Sequence, residues 1–241
     1  MKIVIATDID GTLTGENNLI DFETISTLRR IQQLGGIVIL VSSHAYAAVS
    51  TLGEYLGFRY VIGETGGCGG YPWRPLFIDA IPNRDIIVDI IRSSGFQTTP
   101  SNNFRLADIS IWPPNGNINE ALCRLLSILK DFKVNIFYSG VAIHIVRSGV
   151  DKGKALLKLL EVLGVDGRII ALGDGDNDIP LFNVADLSIA PKNASQGLKN
   201  VSSVVLPMRT PMATLFALKN IEKLFKLRKI DLDILKKMLQ K

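Results

Sequence analysis

The chain has 241 residues, a hydrophobic fraction of 47% and a formal net charge of +4, which suit one large globular domain or two small ones. Its apolar runs are shorter than the ~18 residues that a transmembrane helix needs, and Asp8 interrupts the N-terminal run, so we predict a cytoplasmic protein with no signal peptide and no membrane partner. Eight basic and three acidic residues occupy the last 23 positions, so the basicity belongs to the C-terminal tail and predicts no nucleic-acid partner.

Residues 1–82 alternate between patterns that are typical of strands and of helices. Strands are predicted at residues 3–7, 37–41 and 60–62, and helices at residues 21–34 and 45–56. This order predicts a parallel sheet whose strands are joined by right-handed crossovers. The stretch that contains Pro72, Pro75 and Pro82 is predicted to be rich in loops.

A different pattern occupies residues 83–150. Helices are predicted at residues 84–94 and 118–130, and strands at residues 106–112, 134–138 and 142–147, which together form a small antiparallel sheet with two helices. The alternation of helix and strand returns from residue 151.

We therefore predict an α/β fold with two parts. A Rossmann-like parallel-sheet core, residues 1–82 and 151–225, carries an inserted α+β cap, residues 83–150. Hinges are expected near Ile81-Pro82 and Gly149-Val150, because the chain passes between core and cap at these two places.

Residues 226–241 form a C-terminal tail with a helical pattern. Apolar residues recur at helical spacing from Ile221 onwards, and Asp231 is predicted to cap a last helix. The tail is expected to pack on the core or to bind a second copy, which leaves a homodimer open. Cys68 and Cys123 lack the spacing of a metal site and are predicted to be buried free thiols.

Four acids follow two of the predicted core strands. Asp8 and Asp10 lie in the run DIDGT after the first strand, and Asp174 and Asp178 lie in the run GDGDND after the strand at residues 169–172. If these strands are neighbours in a parallel sheet, the acids converge at its carboxyl edge, where such folds bind ligands. Clustered carboxylates need a cation, and hard oxygen ligands favour Mg²⁺ over Zn²⁺.

The residue types suggest phosphate chemistry, although each motif also has a plain structural explanation. Asp8 could attack phosphorus, and Asp10 could protonate the leaving oxygen and later deprotonate a water molecule; alternatively, both lie in a solvated turn. Ser42 could hold a phosphoryl oxygen or cap a helix. Lys152 could offset the phosphoryl charge or lie on the surface.

Further polar residues could contact a substrate. Arg105 could pair with a substrate carboxylate or be a surface residue. His144 could face the active site or make a structural hydrogen bond, and Glu64 could contact substrate or cap a turn. The complete set of predicted substrate-binding residues is Ser42, Ser43, His44, Arg105, Lys152 and Asn177.

Taken together, the four motifs around Asp8, Ser42, Lys152 and Asp174 resemble those of the haloacid dehalogenase superfamily of phosphatases. The place of the inserted cap is similar to that of the Cof-like branch. Three further runs are similar to the archaeal phosphoglycolate phosphatases: IGETGG (62–67), NIFYSGVAIHIVRSGVDKG (135–153) and APKNA (190–194).

This resemblance implies a Mg²⁺-dependent hydrolase of a small phosphorylated metabolite such as 2-phosphoglycolate. It implies Asp8 as nucleophile, Asp10 as acid and base, and Ser42 and Lys152 as phosphate ligands. The metal ligands implied are Asp8, Asp10 through its carbonyl, Asp174 and Asp178.

The sequence departs from the family pattern at two places that bear on the substrate. Ser42, Ser43 and His44 stand where Thr/Ser-Gly followed by Asn or Arg is usual, and the Ser-Ser pair is similar to that of mannosyl-phosphoglycerate phosphatases. Thr65 replaces the usual Asn. A sugar-phosphate or mannosyl-3-phosphoglycerate phosphatase, a phosphomutase and a phospholigand-binding scaffold therefore remain alternatives.

Overall fold

Two β-sheets are present in the structure, a computed structural model that describes residues 2–15, 17–228 and 230–240. The strands are β1 (Lys2–Thr7), β2 (Ile37–Val41), β3 (Tyr60–Gly63), β4 (Cys68–Tyr71), β5 (Arg74–Ile78), β6 (Ile109–Ile111), β7 (Val134–Tyr138), β8 (Ile143–Arg147), β9 (Gly167–Leu172), β10 (Leu187–Ala190) and β11 (Val204–Val205). The helices are α1 (Phe22–Gln33), α2 (Tyr46–Leu56), α3 (Arg84–Ser93), α4 (Ile118–Ile128), α5 (Lys152–Val162), α6 (Ile179–Asn183), α7 (Gln196–Val201), α8 (Met212–Lys226) and α9 (Leu232–Leu239).

The larger sheet is mostly parallel, and β1 lies at its centre. Within the described residues its order is β11-β10-β9-β1-β2-β3-β4-β5, with antiparallel pairing only from β3 to β5. Thr7 of β1 is level with Leu40 of β2 and Leu172 of β9. The predicted neighbourhood of the two acid-bearing strands is therefore confirmed, because β1 and β9 end side by side.

Helices cover both faces of this sheet because its central strands are apolar on both faces. On β1, Ile3 and Ile5 pack towards α1, α2, α8 and α9, whereas Val4 and Ala6 pack towards α5, α6 and α7. On α1, Ile25, Leu28 and Ile31 are buried in the core cluster that also holds Ile3 and Ile5. The α/β fold class is thus confirmed.

The prediction of loops around Pro72 and Pro75 is wrong, because β4 and β5 form a hairpin that extends the sheet. Glycine and proline have low strand propensity, so the sequence pattern does not indicate these strands. Gly69 is required here by packing: a Cβ at this position would lie 2.6 Å from the Phe77 ring. The ladder shifts register at Gly69/Gly70, which accommodates the irregular sequence.

The smaller sheet is antiparallel, has the order β6-β8-β7 and packs on α3 and α4. Its apolar core includes Ile87, Leu125 and Ile145. We call this sheet with its two helices the cap. The strand predicted at residues 106–112 is shorter than expected, since β6 begins only at Ile109. The backbone N–H groups of residues 106–108 donate to the Glu64 carboxylate instead of to a neighbouring strand.

The C-terminal helices pack on the core. Leu235 and Leu239 of α9 are buried in the same cluster as α1 and α8, which confirms the predicted packing, and Asp231 caps α9 as expected. Lys229 and Lys241 of the tail lie outside the described residues. Cys68 and Cys123 are both free, but Cys123 is exposed, contrary to the prediction of two buried thiols. None of the described helices combines the length and the apolar character needed to cross a bilayer.

Candidate active site

Three carboxylates and one ammonium meet at the carboxyl edge of the central sheet. Asp8 follows β1, while Asp174 and Asp178 lie in the turn after β9. Carboxylate oxygens of these three residues lie within 4.8 Å of one another. Lys152 Nζ donates to Asp8 Oδ1 at 2.7 Å and to Asp178 Oδ1 at 2.6 Å. A set of ligand atoms made only of carboxylate oxygens suits a hard cation such as Mg²⁺.

Burial and the repulsion of neighbouring carboxylates raise the pKa values of Asp8 and Asp174. Burial, and then the charge of Asp178, raise the pKa of Asp174 to about 7. The same two causes raise the pKa of Asp8 well above its ordinary value, although Lys152 opposes them. Burial would lower the pKa of Lys152, but Asp178 and Asp8 hold it above its usual range. With one ammonium for three carboxylates, the site attracts a further cation.

Two glycines make room for the acids. Gly11 has φ +69°, and a Cβ there would lie 2.2 Å from Asp174 Oδ2. A Cβ on Gly173 would lie 2.7 Å from Asp178 Cγ. A side chain at either position would displace an acid from the cluster, so these glycines serve the site as well as the turns.

The side chain of Asp10 lies outside the three-carboxylate cluster and pairs with His44. His44 Nε2 lies 2.9 Å from Asp10 Oδ2, and both side chains are about half exposed in the cleft. Burial would raise the pKa of Asp10, but the hydrogen bond and charge of His44 lower it below its ordinary value. The sequence pattern does not reveal this pair, because the two residues belong to different loops.

The two serines after β2 have different surroundings. Ser42 is buried, and its Oγ accepts a hydrogen bond from the His44 N–H at 3.1 Å; it does not line the cleft. The N-cap of α2 is Ala45, so Ser42 does not have the alternative role of helix cap. Ser43 does line the cleft, and its Oγ accepts from Asn177 Nδ2 at 3.3 Å.

Lys152 and Arg105 are both buried, so neither is the surface residue that the sequence left open. Lys152 is fully buried at the start of α5. Arg105 Nη1 donates to Asp108 Oδ1 at 2.7 Å and to the Ser43 carbonyl at 3.1 Å, and its Nε donates to Ser101 Oγ at 2.9 Å. Arg105 also lines the cleft, and none of the described protein acceptors binds its Nη2.

Asp108 joins Arg105 to His144 and was missed by the sequence reasoning. His144 Nδ1 lies 3.1 Å from Asp108 Oδ2, and His144 Nε2 lies 3.3 Å from Ser139 Oγ. Burial would raise the pKa of Asp108, but His144 and Arg105 hold it below its ordinary value. Burial also lowers the pKa of His144. The signal in the sequence was an acid inside the apolar strand pattern LADISI, since such acids are buried only when paired.

Glu64 binds the cap to the core through backbone N–H groups. Its fully buried carboxylate accepts from the N–H of Tyr46 in the core, and from those of Leu106, Ala107 and Asp108 before β6. Burial, followed by the charge of Asp108, raises the pKa of Glu64. Glu64 therefore fixes the chain and does not face the cleft, which answers the alternative left open by the sequence.

A cleft with a volume of about 710 Å³ lies between the sheet edge and the cap. Its core side is lined by Asp8, Asp10, Ser43, His44, Asp174 and Asn177, among others. Its cap side includes Ser101, Phe104, Arg105, Trp112, Val141 and His144. The predicted residues thus meet in one cleft, except that Ser42 lies behind it and the fully buried Lys152 and Asp178 lie beneath its floor.

Comparison with known sequences places the chain in a family of hydrolases. The family model of haloacid dehalogenase-like hydrolases matches residues 5–97 and 97–211. The chain is 31% identical to a phosphoglycolate phosphatase of Methanopyrus kandleri over 214 residues, which cover 86% of this chain and 91% of that protein. It is 27% identical to a phosphoglycolate phosphatase of Sulfolobus acidocaldarius over 230 residues, covering 90% and 96% of the two chains.

Solved structures share this fold. A crystal structure of protein 0175 from Thermoplasma acidophilum superposes with a TM-score of 0.81 over 94% of this chain and 99% of that chain, at 26% identity. A sugar phosphatase of haloacid dehalogenase subclass IIB superposes with a TM-score of 0.71 over 95% and 100% of the chains. Its identity of 16% shows a common fold alone.

Proposed function

Since this chain belongs to the haloacid dehalogenase-like hydrolases and is a phosphatase, we propose that it hydrolyses small phosphate monoesters through an aspartyl-phosphate on Asp8. The observation that carries the proposal is the cluster of three carboxylates, of which Asp8 and Asp174 line the floor of a large cleft while Asp178 and its partner Lys152 are buried beneath it. A nucleophile, a cation site and a fixed positive charge are the parts that phosphoryl transfer from a monoester requires.

Magnesium is the proposed cofactor. Asp8, Asp174 and Asp178 supply carboxylate oxygens, and Asp10 is proposed to add its backbone carbonyl. When bound, Mg²⁺ would neutralise negative charge on the phosphoryl oxygens and on the acids. The raised pKa values of Asp8 and Asp174 fit this role, because a cation would return both groups to their ionised form.

In the first step, a carboxylate oxygen of Asp8 forms a bond to phosphorus while the bond from phosphorus to the alcohol oxygen breaks. Asp10, which His44 keeps ionised in the free protein, takes up a proton when the substrate binds and gives it to the leaving alcohol. In the second step, Asp10 takes a proton from a water molecule whose oxygen attacks the phosphorus, which frees phosphate and restores Asp8. Lys152, held against Asp8 Oδ1, stabilises the added negative charge throughout.

The proposed substrate is 2-phosphoglycolate, the compound in the names of the two relatives. Ser43, His44 and Asn177 line the cleft beside the acids and are proposed to bind the phosphate or the substrate oxygens. Arg105 is proposed to bind the carboxylate through its Nη2, since Arg105 lines the cleft and none of the described protein acceptors binds that nitrogen. A role for Ser42 as a direct phosphate ligand would need a change of its hydroxyl position, because Ser42 is buried and does not line the cleft.

Replacement of the nucleophile tests the proposal. We expect Asp8→Asn to reduce the release of phosphate from 2-phosphoglycolate by at least about a thousandfold, since an amide cannot form the acyl-phosphate. Acid-quenched wild-type enzyme should carry a phosphoryl group on the peptide that contains Asp8, as measured by mass spectrometry. Chelation of divalent cations should abolish turnover, and addition of Mg²⁺ should restore it.

The matched control is Asp166→Asn, which removes an exposed acid outside the cleft and should leave turnover unchanged. Full activity of Asp8→Asn, with circular dichroism equal to that of the wild type, would contradict the covalent mechanism. A phosphomutase differs by passing the phosphoryl group to a second sugar hydroxyl, so release of free phosphate without a bisphosphate activator favours the hydrolase.

A further inference from the structure

The cap wall of the cleft carries three large apolar side chains that remain accessible. Phe104 is 53% exposed, Trp112 is 47% exposed and Val141 is 64% exposed. All three line the cleft whose floor holds Asp8. Single exposed apolar residues are common on protein surfaces, but several on one wall of a deep cleft are typical of a ligand-binding surface.

The polar groups beside them are largely paired with one another. Thr99 Oγ1 and Ser101 Oγ lie 2.7 Å apart, and Ser139 Oγ contacts both His144 and the Ala142 carbonyl. Apart from Arg105 Nη2, the polar groups named here already have partners, so a ligand on this wall would gain more from apolar contact than from new hydrogen bonds.

The wall is held in place from the core. Arg105, the neighbour of Phe104, donates to the Ser43 carbonyl, and the next three residues donate backbone hydrogen bonds to Glu64. Ala107 packs into the core cluster itself, where a Cβ on Gly67 would lie 2.5 Å from its methyl group. The segment that carries Phe104 is thus tied to the core beside the site, with the cleft extending beyond the acids.

The volume of the cleft exceeds what a two-carbon acid fills. Clefts of roughly 300–1,000 Å³ hold drug-sized ligands, and this one measures about 710 Å³. 2-Phosphoglycolate would occupy the end near Asp8 and would leave the apolar wall in contact with water. An apolar group on the substrate would remove that wall from water, which is favourable.

We propose that Phe104, Trp112 and Val141 form a subsite for an aromatic ring in the alcohol portion of the substrate, so that the enzyme also hydrolyses monoesters larger than 2-phosphoglycolate. This inference rests on the proposed function, because the ring is placed by an ester whose phosphate lies at Asp8. Aromatic rings suit the wall because Phe and Trp form offset or edge-to-face contacts with them beyond simple burial.

The test compares 2-phenylethyl phosphate with ethyl phosphate, two alkyl esters that differ by the ring and have leaving groups of the same kind. We expect the ratio of their kcat/KM values to be at least about 10 in the wild type, and to fall at least about threefold in Phe104→Ala and in Trp112→Ala. Phe22→Ala and Trp73→Ala remove aromatic side chains outside the cleft that are more exposed than Phe104 and Trp112, and they should keep the wild-type ratio.

Binding is measured separately from hydrolysis with the double variant Asp8→Asn, Trp73→Phe, in which Trp112 is the remaining tryptophan. 2-Phenylethyl phosphate should change its fluorescence at lower concentration than ethyl phosphate does. If the wild type hydrolyses 2-phosphoglycolate but the ester ratio is near 1 and unaffected by both cleft variants, the subsite is wrong and the proposed function stands. If no ester is hydrolysed although 2-phenylethyl phosphate binds preferentially, the subsite stands and the proposed function fails.

Discussion

The core and the cap both bury charged side chains, but they balance the charge differently. In the core, Asp8, Asp174 and Asp178 share the single ammonium of Lys152. In the cap, Asp108 is enclosed by Arg105 on one side and by His144 on the other. The core cluster therefore keeps an excess of negative charge that attracts a cation, whereas the charge of Asp108 is balanced by its neighbours within the cap.

The pKa values express the same difference. Burial and Asp178 raise the pKa of Asp174, whereas the partners of Asp108 hold its pKa below the ordinary value in spite of full burial. A carboxyl whose pKa is raised destabilises the fold when it ionises, and one whose pKa is lowered stabilises it. The ionised acids of the core site thus lower the free energy of unfolding, which fits a cation-binding site, while the ionised Asp108 of the cap raises it.

The largest effect is expected from Lys152→Met in metal-free protein. Removal of the ammonium leaves Asp8 and Asp178 buried with no positive partner, and loss of one member of a buried ion pair costs about 3–5 kcal/mol. Urea unfolding at pH 8 with chelator measures the free energy of unfolding. The control is Lys154→Met, two residues along the same helix, because Lys154 is 64% exposed and should change stability by less than about 0.5 kcal/mol. Equal effects of both variants would contradict the assigned role of Lys152.

The next effect concerns pH. The pKa of Asp174 is about 7 in the fold, above that of an unfolded Asp, so the native state binds more protons between about pH 4 and 7. This group's contribution to the free energy of unfolding is present below about pH 4 and is lost as the pH rises through about 7, by an amount on the order of 4 kcal/mol. Asp174→Asn should remove this decline in metal-free protein, and Mg²⁺ should also oppose it in the wild type.

The cap should contribute the opposite pH dependence to the free energy of unfolding. The lowered pKa of His144 means that the unfolded state binds more protons just below pH 6.5, so this residue's contribution is lost as the pH falls through that region. His144→Gln should remove the acid-side loss and leave the decline due to Asp174. The free energy of unfolding should therefore rise with pH near 6.5 in Asp174→Asn and fall with pH in His144→Gln. Slopes of the same sign in these two variants would refute the contrast between core and cap.

The smallest of these effects is expected from Glu64→Gln. An amide in place of the carboxylate puts a donor against backbone N–H groups, and a lost charged hydrogen bond costs about 1.5–3 kcal/mol. Hydrogen exchange at residues 106–108 should accelerate, because these amides lose their acceptor. Glu161→Gln, an exposed site on α5, serves as control. Unchanged exchange at residues 106–108 would show that Glu64 does not hold the cap.

The core was predictable from sequence because its signals are local. An apolar strand that ends in acids and glycine predicts both the strand and the position of Asp8, and the same holds for Asp174 and Asp178 after β9. In the cap, the strand pattern at 106–112 was overridden by Glu64, a residue more than forty positions earlier. The hairpin of β4 and β5 was missed because glycine and proline have low strand propensity, and these strands form through their packing in the folded protein.

Sequence alone determined the α/β fold class, the resemblance to the family and a group of four acids of which Asp8, Asp174 and Asp178 form the cluster, since strand periodicity and the acids that follow each strand are properties of short segments. Only the tertiary structure decided that Ser42 lies behind the cleft, that Asp10 pairs with His44 and that Asp108 is enclosed by Arg105 and His144. These contacts join loops that are distant in the chain, and their hydrogen bonds depend on how the cap rests on the core, which no local pattern records.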